Sequence, residues 1–586
     1  MKKLIYFLAI ALILPVISGC EDFLDSRSYT TKDENSFPKT EADADMLLVG
    51  VYSILNFSHA QGLGTYLLVA ELVCDDRFGG GGNNDKAGQA ISHLMYFDQN
   101  QFNGYWSDRY TGISRATSAL AALENMDEGD LKNQKMGEAR FLRALYYFDL
   151  VQLLGDIPLV TKLPDDVTET KKSPMQAPQK DVFKAIATDL WNAYSTMPSA
   201  RFNTMLSGKV TKWAAAGLLA RVYLFYTGFY GENALPIEDG EVTSAQVVAA
   251  LQDCIDNSGH ALIPDFRTLW PYSNALTKKN YSFAADAPDW VEGTKNPEVM
   301  FAIKMNGLGD WGTTVGYSNS VALYSGIRNE STDYKNLFPM GQGWGFGPVN
   351  TKLWDTWPSN DPRRVASIYN QADEAADYKW GCDMQVDETG LWQKKIMMTT
   401  AYGKGGSATT LWNTFWSDEL FGNLPDDNFQ LGCGTDLILI RFADILLMHS
   451  ELTKTVDGIN KVRARANASI RGGSTLAPIG AYSDEALRNE RRWELAFEGL
   501  RWGDIRRWGI AADALTELYG VPFKIMGKDA LSSPQGAGLK ARYQATKGFF
   551  NKPLTQINLS KVDGVEHLSQ NDGWETDALY VGYSGD

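Results

Sequence analysis

Five cysteines and five histidines are few for 586 residues. None of them has Cys/His zinc spacing or the His-Glu-x-x-His of a metalloprotease, and no EF-hand pattern is present, so no metal or other cofactor is expected. No Gly-x-Ser-x-Gly elbow marks a hydrolase nucleophile. The run Gly79 to Gly82 is followed by Asn83 and Asn84 rather than Gly-Lys-Ser/Thr, so it is not a phosphate loop. Cations are scarce as well: 55 Lys and Arg against 71 Asp and Glu give a formal charge of −16. Phosphate recognition needs clustered cations, so nucleic acid and anionic lipid are excluded as ligands. Beyond the first residues no second apolar stretch reaches membrane-spanning length. What remains, 44% hydrophobic and 22% charged, is ordinary for a soluble globular protein.

The N-terminus is the most informative segment present. Lys2 and Lys3 precede an apolar run from Leu4 to Ile17, which ends at Ser18-Gly19-Cys20. A cationic start, a short apolar core and small residues before a cysteine predict a lipoprotein signal peptide over 1–19, with Cys20 acylated as the new N-terminus. Each buried acyl methylene contributes about 0.8 kcal/mol, so several chains make a lasting tether. The other cysteines, at 74, 254, 382 and 433, are scattered through an exported chain and can form two disulfides in any of three pairings.

Along the mature chain, Glu138 to Leu154 is apolar almost all the way round, which predicts a helix buried among helices, stopped by Gly155-Asp156-Ile157-Pro158. Lys212 to Tyr226 is similar, with Ala214, Ala215, Ala216, Gly217 and Ala220 offering a surface for close approach. Ile440 to Leu452 and Asp484 to Glu498 read as two further helices. Between Phe266 and Trp416 helical periodicity fades, Gly, Asn, Asp and Pro punctuate the chain, and ten of the 17 tryptophans fall in about a quarter of its length. The expected fold is mainly α: small-and-aromatic helices that resemble stacked hairpins of the tetratricopeptide type, with no clean 34-residue period, carrying a large loop-rich insertion containing short strands. The divisions are a tether over 20–40, an N-terminal scaffold over 41–265 with a ligand loop near 71–106, an insertion over 266–430, and closing helices over 431–586.

Several segments carry a family resemblance in order: CEDFLD from Cys20, EARFLRALYYF from Glu138, GDIPL from Gly155, and KWAAA from Lys212 with Ala220 and Arg221. RFADILL from Arg441, INKVRARAN from Ile459, NERRWELAFEG from Asn489 and RWGDIRRW from Arg501 follow. With these the chain resembles the SusD/RagB family of surface nutrient-binding lipoproteins over nearly its whole mature length. The acidic residues after Cys20 are similar to an export signal for the outer surface. The resemblance implies a SusC-like TonB-dependent outer-membrane transporter as partner, a glycan as the usual ligand, and peptides or other nutrients as the alternative.

The charged motif Glu490, Arg491, Arg492, Glu494 and Glu498, extended by Arg501, Asp504, Arg506 and Arg507, sits among Trp493, Trp502 and Trp508. It reads as buried scaffold, with Arg491 and Glu494 placed to pair at i, i+3. Sugar rings instead need an aromatic face beside a few fixed polar groups. Two regions offer that mixture: Asp75, Asp76 and Arg77 ahead of the glycine run, with Tyr105 and Trp106 downstream, and the insertion, through Trp311, Tyr317, Trp344 and Trp357. Trp344 is flanked by glycines in GQGWGFG, and Arg364 matches a family turn whose arginine reaches the site. A glycoside hydrolase would need two opposed carboxylates. Asp75 and Asp76 are adjacent rather than opposed, so binding without catalysis is the expected activity.

Overall fold

The computed structural model describes residues 37–583 apart from 61, 163–174, 203, 205–207, 274–280, 284–295, 306–317, 329–339, 376–383, 400, 403–409, 412–429, 431–432, 470–475 and 575–577. The long elements are helices: α1 (Glu41–Ala60), α2 (Tyr66–Val73), α3 (Asn103–Leu123), α4 (Asp130–Leu154), α5 (Gln179–Thr196), α6 (Lys212–Tyr230) and α7 (Ser244–Asn257). After the loop-rich stretch come α8 (Phe442–Thr453), α9 (Asp457–Ala468), α10 (Asp484–Glu494) and α11 (Arg501–Arg507). Side-chain caps start several of them. Thr65 accepts from the Leu68 amide, Thr211 from Ala214, Ser483 from Ala486, and Thr243 forms a reciprocal capping box with Gln246.

Neighbours in the chain are neighbours in space: α1 packs on α3, then α3 on α4, α4 on α5, α5 on α6, α6 on α7, α7 on α8 and α8 on α9. This serial stacking of antiparallel helices is the tetratricopeptide-like scaffold. Helix α4 lies at its centre, and Phe141, Leu142, Ala144, Leu145, Tyr147, Phe148, Val151 and Leu154 are all buried. Each such large side chain contributes about 1.5–3 kcal/mol on burial. The small residues of α6 allow close contact: a Cβ on Gly217 would lie 2.9 Å from Ile445 of α8. No described helix is long and apolar enough to cross a membrane.

Two helix boundaries differ from the sequence reading. Ile440 and Arg441 end a strand, Leu437–Arg441, which pairs antiparallel with Val299–Ile303 and hands the chain directly into α8. Helix α10 stops at Glu494 rather than Glu498, and the left-handed backbone angles of Phe497 (+66°) and Gly499 (+75°) keep it from continuing through that stretch. Between the scaffold halves the described elements are short helices and two-stranded ladders, none joined into a larger sheet. Cys74, Cys254 and Cys433 are buried free thiols, so the two-disulfide option falls; Cys382 lies outside the described residues.

The charged motif is indeed buried scaffold, but its pairing is tertiary. Arg491 and Glu494 do not pair with each other. Glu494 accepts from Arg363 (3.0 Å), Arg441 (2.6 Å) and Arg465, while Arg491 binds Asp444 (2.8 Å) and Asp504 (2.9 Å). Glu490 takes Arg363 (2.6 Å) and Arg463 (2.8 Å), and Glu498 takes Arg441 (2.6 Å) and Lys395 (2.7 Å). Glu494 is fully buried, and burial alone would raise its carboxyl. Arg465, Arg441, Arg363 and Lys395 instead hold it well below the usual carboxylate range. Glu494→Ala leaves these cations uncompensated in the interior and is expected to cost about 3–5 kcal/mol in denaturant unfolding. An exposed-pair substitution such as Lys454→Ala should change stability by no more than about 1 kcal/mol.

Candidate functional site

The glycine run and the Trp344 loop, far apart in sequence, form one seam. Phe78 donates its amide to Pro348 O (2.9 Å), Gly347 to Gly79 O (3.0 Å) and Gly81 to Gly345 O (2.7 Å). On its other side the Trp344 loop pairs with residues 323–326: Trp344 N donates to Leu323 O and Phe346 N to Tyr324 O, each at 2.8 Å. The glycines permit this contact. Gly80 has φ +66°, and a Cβ there would lie 2.4 Å from Gly345 O; one on Gly347, at φ +69°, would lie 2.2 Å from the Arg77 guanidinium. The loop is therefore a fixed part of the fold.

Asp75, Asp76 and Arg77 do not face a ligand; they are 0%, 1% and 1% exposed. Arg501 grips Asp75 with two hydrogen bonds (2.8 and 2.6 Å), and Arg492 donates to Asp76 (2.8 Å) and Asp75 (3.1 Å). Burial would raise the Asp75 carboxyl, but Arg501 and Arg492 bring it to about 2. Cys74, Asp75 and Asp76 gather three potential metal-ligand atoms within 4.8 Å, yet the guanidinium groups already supply the positive charge there. Arg77 acts on the seam itself: it donates to Gly347 O (2.7 Å) and Phe346 O (3.2 Å), pinning the loop that carries Trp344.

Trp344 is half-buried. Its ring packs against Tyr324 (centroids 4.8 Å apart), which in turn meets Phe346 at 4.9 Å. Beside it Arg328 donates to Asp85 Oδ2 (3.2 Å) and to Trp344 O (3.4 Å), and the Gly82 amide also donates to Asp85 Oδ2 (2.7 Å). Asn83 follows Gly82, and its side-chain oxygen is buried without a hydrogen-bond partner. Burial, with the Asp85 charge adding to it, pushes the Tyr324 phenol up to about 12, so it remains a protonated donor. An aromatic face, a guanidinium and a carboxylate thus converge where the two loops meet. Asp85 and Asn83 fall within the expected ligand loop near 71–106 without being singled out as contacts, while Tyr324 and Arg328 escaped the sequence reading, since nothing local distinguishes them from other loop residues.

The remaining expected contacts lie elsewhere. Trp357 is 1% exposed, packed among Val349, Leu353, Ile368, Leu391 and Phe497, and is core. Arg364 covers the Trp354 ring at 4.2 Å and donates to the carbonyls of Trp354 and Trp357, apart from Trp344. Tyr105 and Trp106 are both buried, at 2% and 6% exposure: Tyr105 donates its hydroxyl to Asp149 O, and Trp106 packs 5.0 Å from Tyr110 along a shallow groove of α3. Trp311 and Tyr317 lie outside the described residues.

Comparison with known proteins fits this architecture. Residues 22–224 match a family described as starch-binding and associating with the outer membrane, and residues 311–574 match the SusD family. The chain belongs to the SusD/RagB family. SusD-like protein P2 of Formosa agariphila is 26% identical over 530 residues, spanning 86% of this chain and 91% of that protein. Surface glycan-binding protein A of Bacteroides fluxus superposes with a TM-score of 0.68 at 24% identity, covering 92% of this chain and 100% of that one. A laminarin binding SusD-like protein does so with a TM-score of 0.67, again at 24% identity and with coverage of 92% and 100%.

In this SusD/RagB chain the seam also carries a pH signature. Glu71, 1% exposed, accepts the Gly499 amide (2.8 Å) and lies 3.7 Å from Arg77. Burial outweighs the pull of Arg77 and lifts its carboxyl from 4.5 to about 7. A folded-state pKa above the unfolded one favours folding at low pH, and that contribution is lost as pH rises from about 4.5 through about 7. Glu71→Gln, which has no proton to lose, is therefore expected to gain about 1–3 kcal/mol on wild type between about pH 4.5 and pH 8. Parallel stability profiles in chemical denaturation would show that Glu71 titrates normally.

Proposed function

We propose that this protein binds oligo- or polysaccharide without chemistry, at the Trp344 seam, from a lipid anchor at Cys20 on the outer membrane. It passes its ligand to a SusC-like TonB-dependent transporter. The observation that carries the reading is the half-buried Trp344 ring, backed by Tyr324 and held by backbone bonds on both sides, next to Arg328 and Asp85. A sugar's C–H face suits such a ring, and its hydroxyls suit the adjoining donors and acceptors. The family descriptions and the titles of the glycan-binding and laminarin-binding neighbours support a carbohydrate over a peptide. Catalysis is disfavoured because glycoside hydrolysis needs a second carboxylate facing the first. Among the described residues, Asp85 is the partly exposed carboxylate at this seam, and it is already bonded to Arg328.

Retardation in affinity gels cast with a panel of polysaccharides, laminarin included, tests the proposal using protein lacking residues 1–20. Trp344→Ala is expected to weaken binding of the retained glycan about tenfold or more, equivalent to about 1.4 kcal/mol, with no product formed. Trp357→Ala should instead lower stability by about 3–5 kcal/mol, as loss of a core aromatic does. Unchanged binding in Trp344→Ala, or release of reducing ends by wild type, contradicts the reading.

A further inference from the structure

Resting on the glycan reading of the Trp344 seam, we propose that the site takes an uncharged glycan, and that Asp85 excludes uronate- or sulfate-bearing chains by occupying Arg328. A guanidinium is the side chain best shaped to bind a carboxylate or sulfate, but only when its donors and its charge are available. Arg328 is engaged on several sides. Asp85 Oδ2 accepts from it at 3.2 Å and Trp344 O at 3.4 Å, and its guanidinium carbon lies where a Cβ on Gly82 would come within 2.9 Å. The Gly82 amide, at 2.7 Å from the same Asp85 oxygen, fixes the carboxylate in turn.

The pair is open to a ligand, with Arg328 24% and Asp85 37% exposed, and it presents one charge of each sign. An anionic sugar must displace Asp85 from Arg328 and then sit beside it. At about 4 Å a like charge costs about 1 kcal/mol in water and about 4 kcal/mol at an effective dielectric of 20. The chain's formal charge of −16 adds repulsion during approach. The acceptor left over points the same way. Among the described residues nothing donates to Asp85 Oδ1, on a carboxylate that is 37% exposed. A sugar hydroxyl can donate to that oxygen, whereas a carboxylate or sulfate placed there is an acceptor only.

The test compares neutral polysaccharides (laminarin, starch, galactomannan) with anionic ones (alginate, polygalacturonate, carrageenan) in native affinity gels of the protein lacking residues 1–20. Wild type should be retarded by a neutral glycan and run freely through every anionic one. Asp85→Asn removes a carboxylate that occupies Arg328 and should acquire retardation by an anionic glycan. That gain should vanish at about 0.5 M salt, and in the double variant Asp85→Asn with Arg328→Gln. Wild type retarded by an anionic glycan, with the retardation lost in Trp344→Ala, overturns this inference while the function stands. Asp85→Asn that keeps native mobility in blank gels and gains no anionic retardation overturns it as well. Wild type retarded by neither class overturns the glycan reading and this inference with it.

Discussion

The buried carboxylate of Glu494 is the point on which the rest of the structure depends. It accepts hydrogen bonds from three arginines of different origin: Arg363 from the loop-rich stretch, Arg441 from the strand that leads into α8, and Arg465 from α9. Its neighbours on α10 reach in other directions. Arg491 ties α8 to α11 through Asp444 and Asp504, and Arg492 holds Asp75 and Asp76 beyond the end of α2. A single helix thus fixes the C-terminal helices, the start of the glycine seam and the insertion in one register. Buried ion pairs of this kind contribute little net stability over a hydrophobic core, but each cation accepts only an arrangement that brings its carboxylate.

The site inherits its geometry from that lock. Asp75 and Asp76, held by Arg501 and Arg492, set where the backbone emerges from α2, and Arg77 then reaches back to the carbonyls of Phe346 and Gly347. Between the glycine run and residues 323–326 the Trp344 loop is bonded on both sides, and its half-buried indole rests on Tyr324. A ring fixed in advance loses less entropy when a sugar settles on it. The charged motif and the glycine run, which look like separate features in the sequence, are successive parts of one support.

How much of this was legible depends on the range of the interactions. Helices α4 and α6 were readable because their apolar and small residues recur within a few turns, and the end of α4 carries a local signal in Gly155 and Pro158. The NERRWELAFEG charges were readable as scaffold because so many charges among tryptophans cannot all be solvated. Their partners were not, since Arg491 meets Asp444 and Glu494 meets Arg363 only through the tertiary fold. Asp75 and Asp76 looked like loop carboxylates for the same reason: the arginines that bury them lie more than four hundred residues away. Trp344 could be singled out because glycines flank it. Trp357 carried the same residue type without that context and proved to be core, while Tyr324 and Arg328 sit in an unremarkable stretch. A side chain whose function arises only where two loops meet leaves no mark in either loop alone.

The most direct measurement is a crystal structure of the protein with an oligosaccharide of whichever glycan it retains. The account predicts a sugar ring lying against the exposed face of Trp344, with a hydroxyl within hydrogen-bonding distance of Asp85 and the Arg328–Asp85 pair intact. A ligand seated in the Trp106 groove or elsewhere, with Trp344 bare, would contradict it.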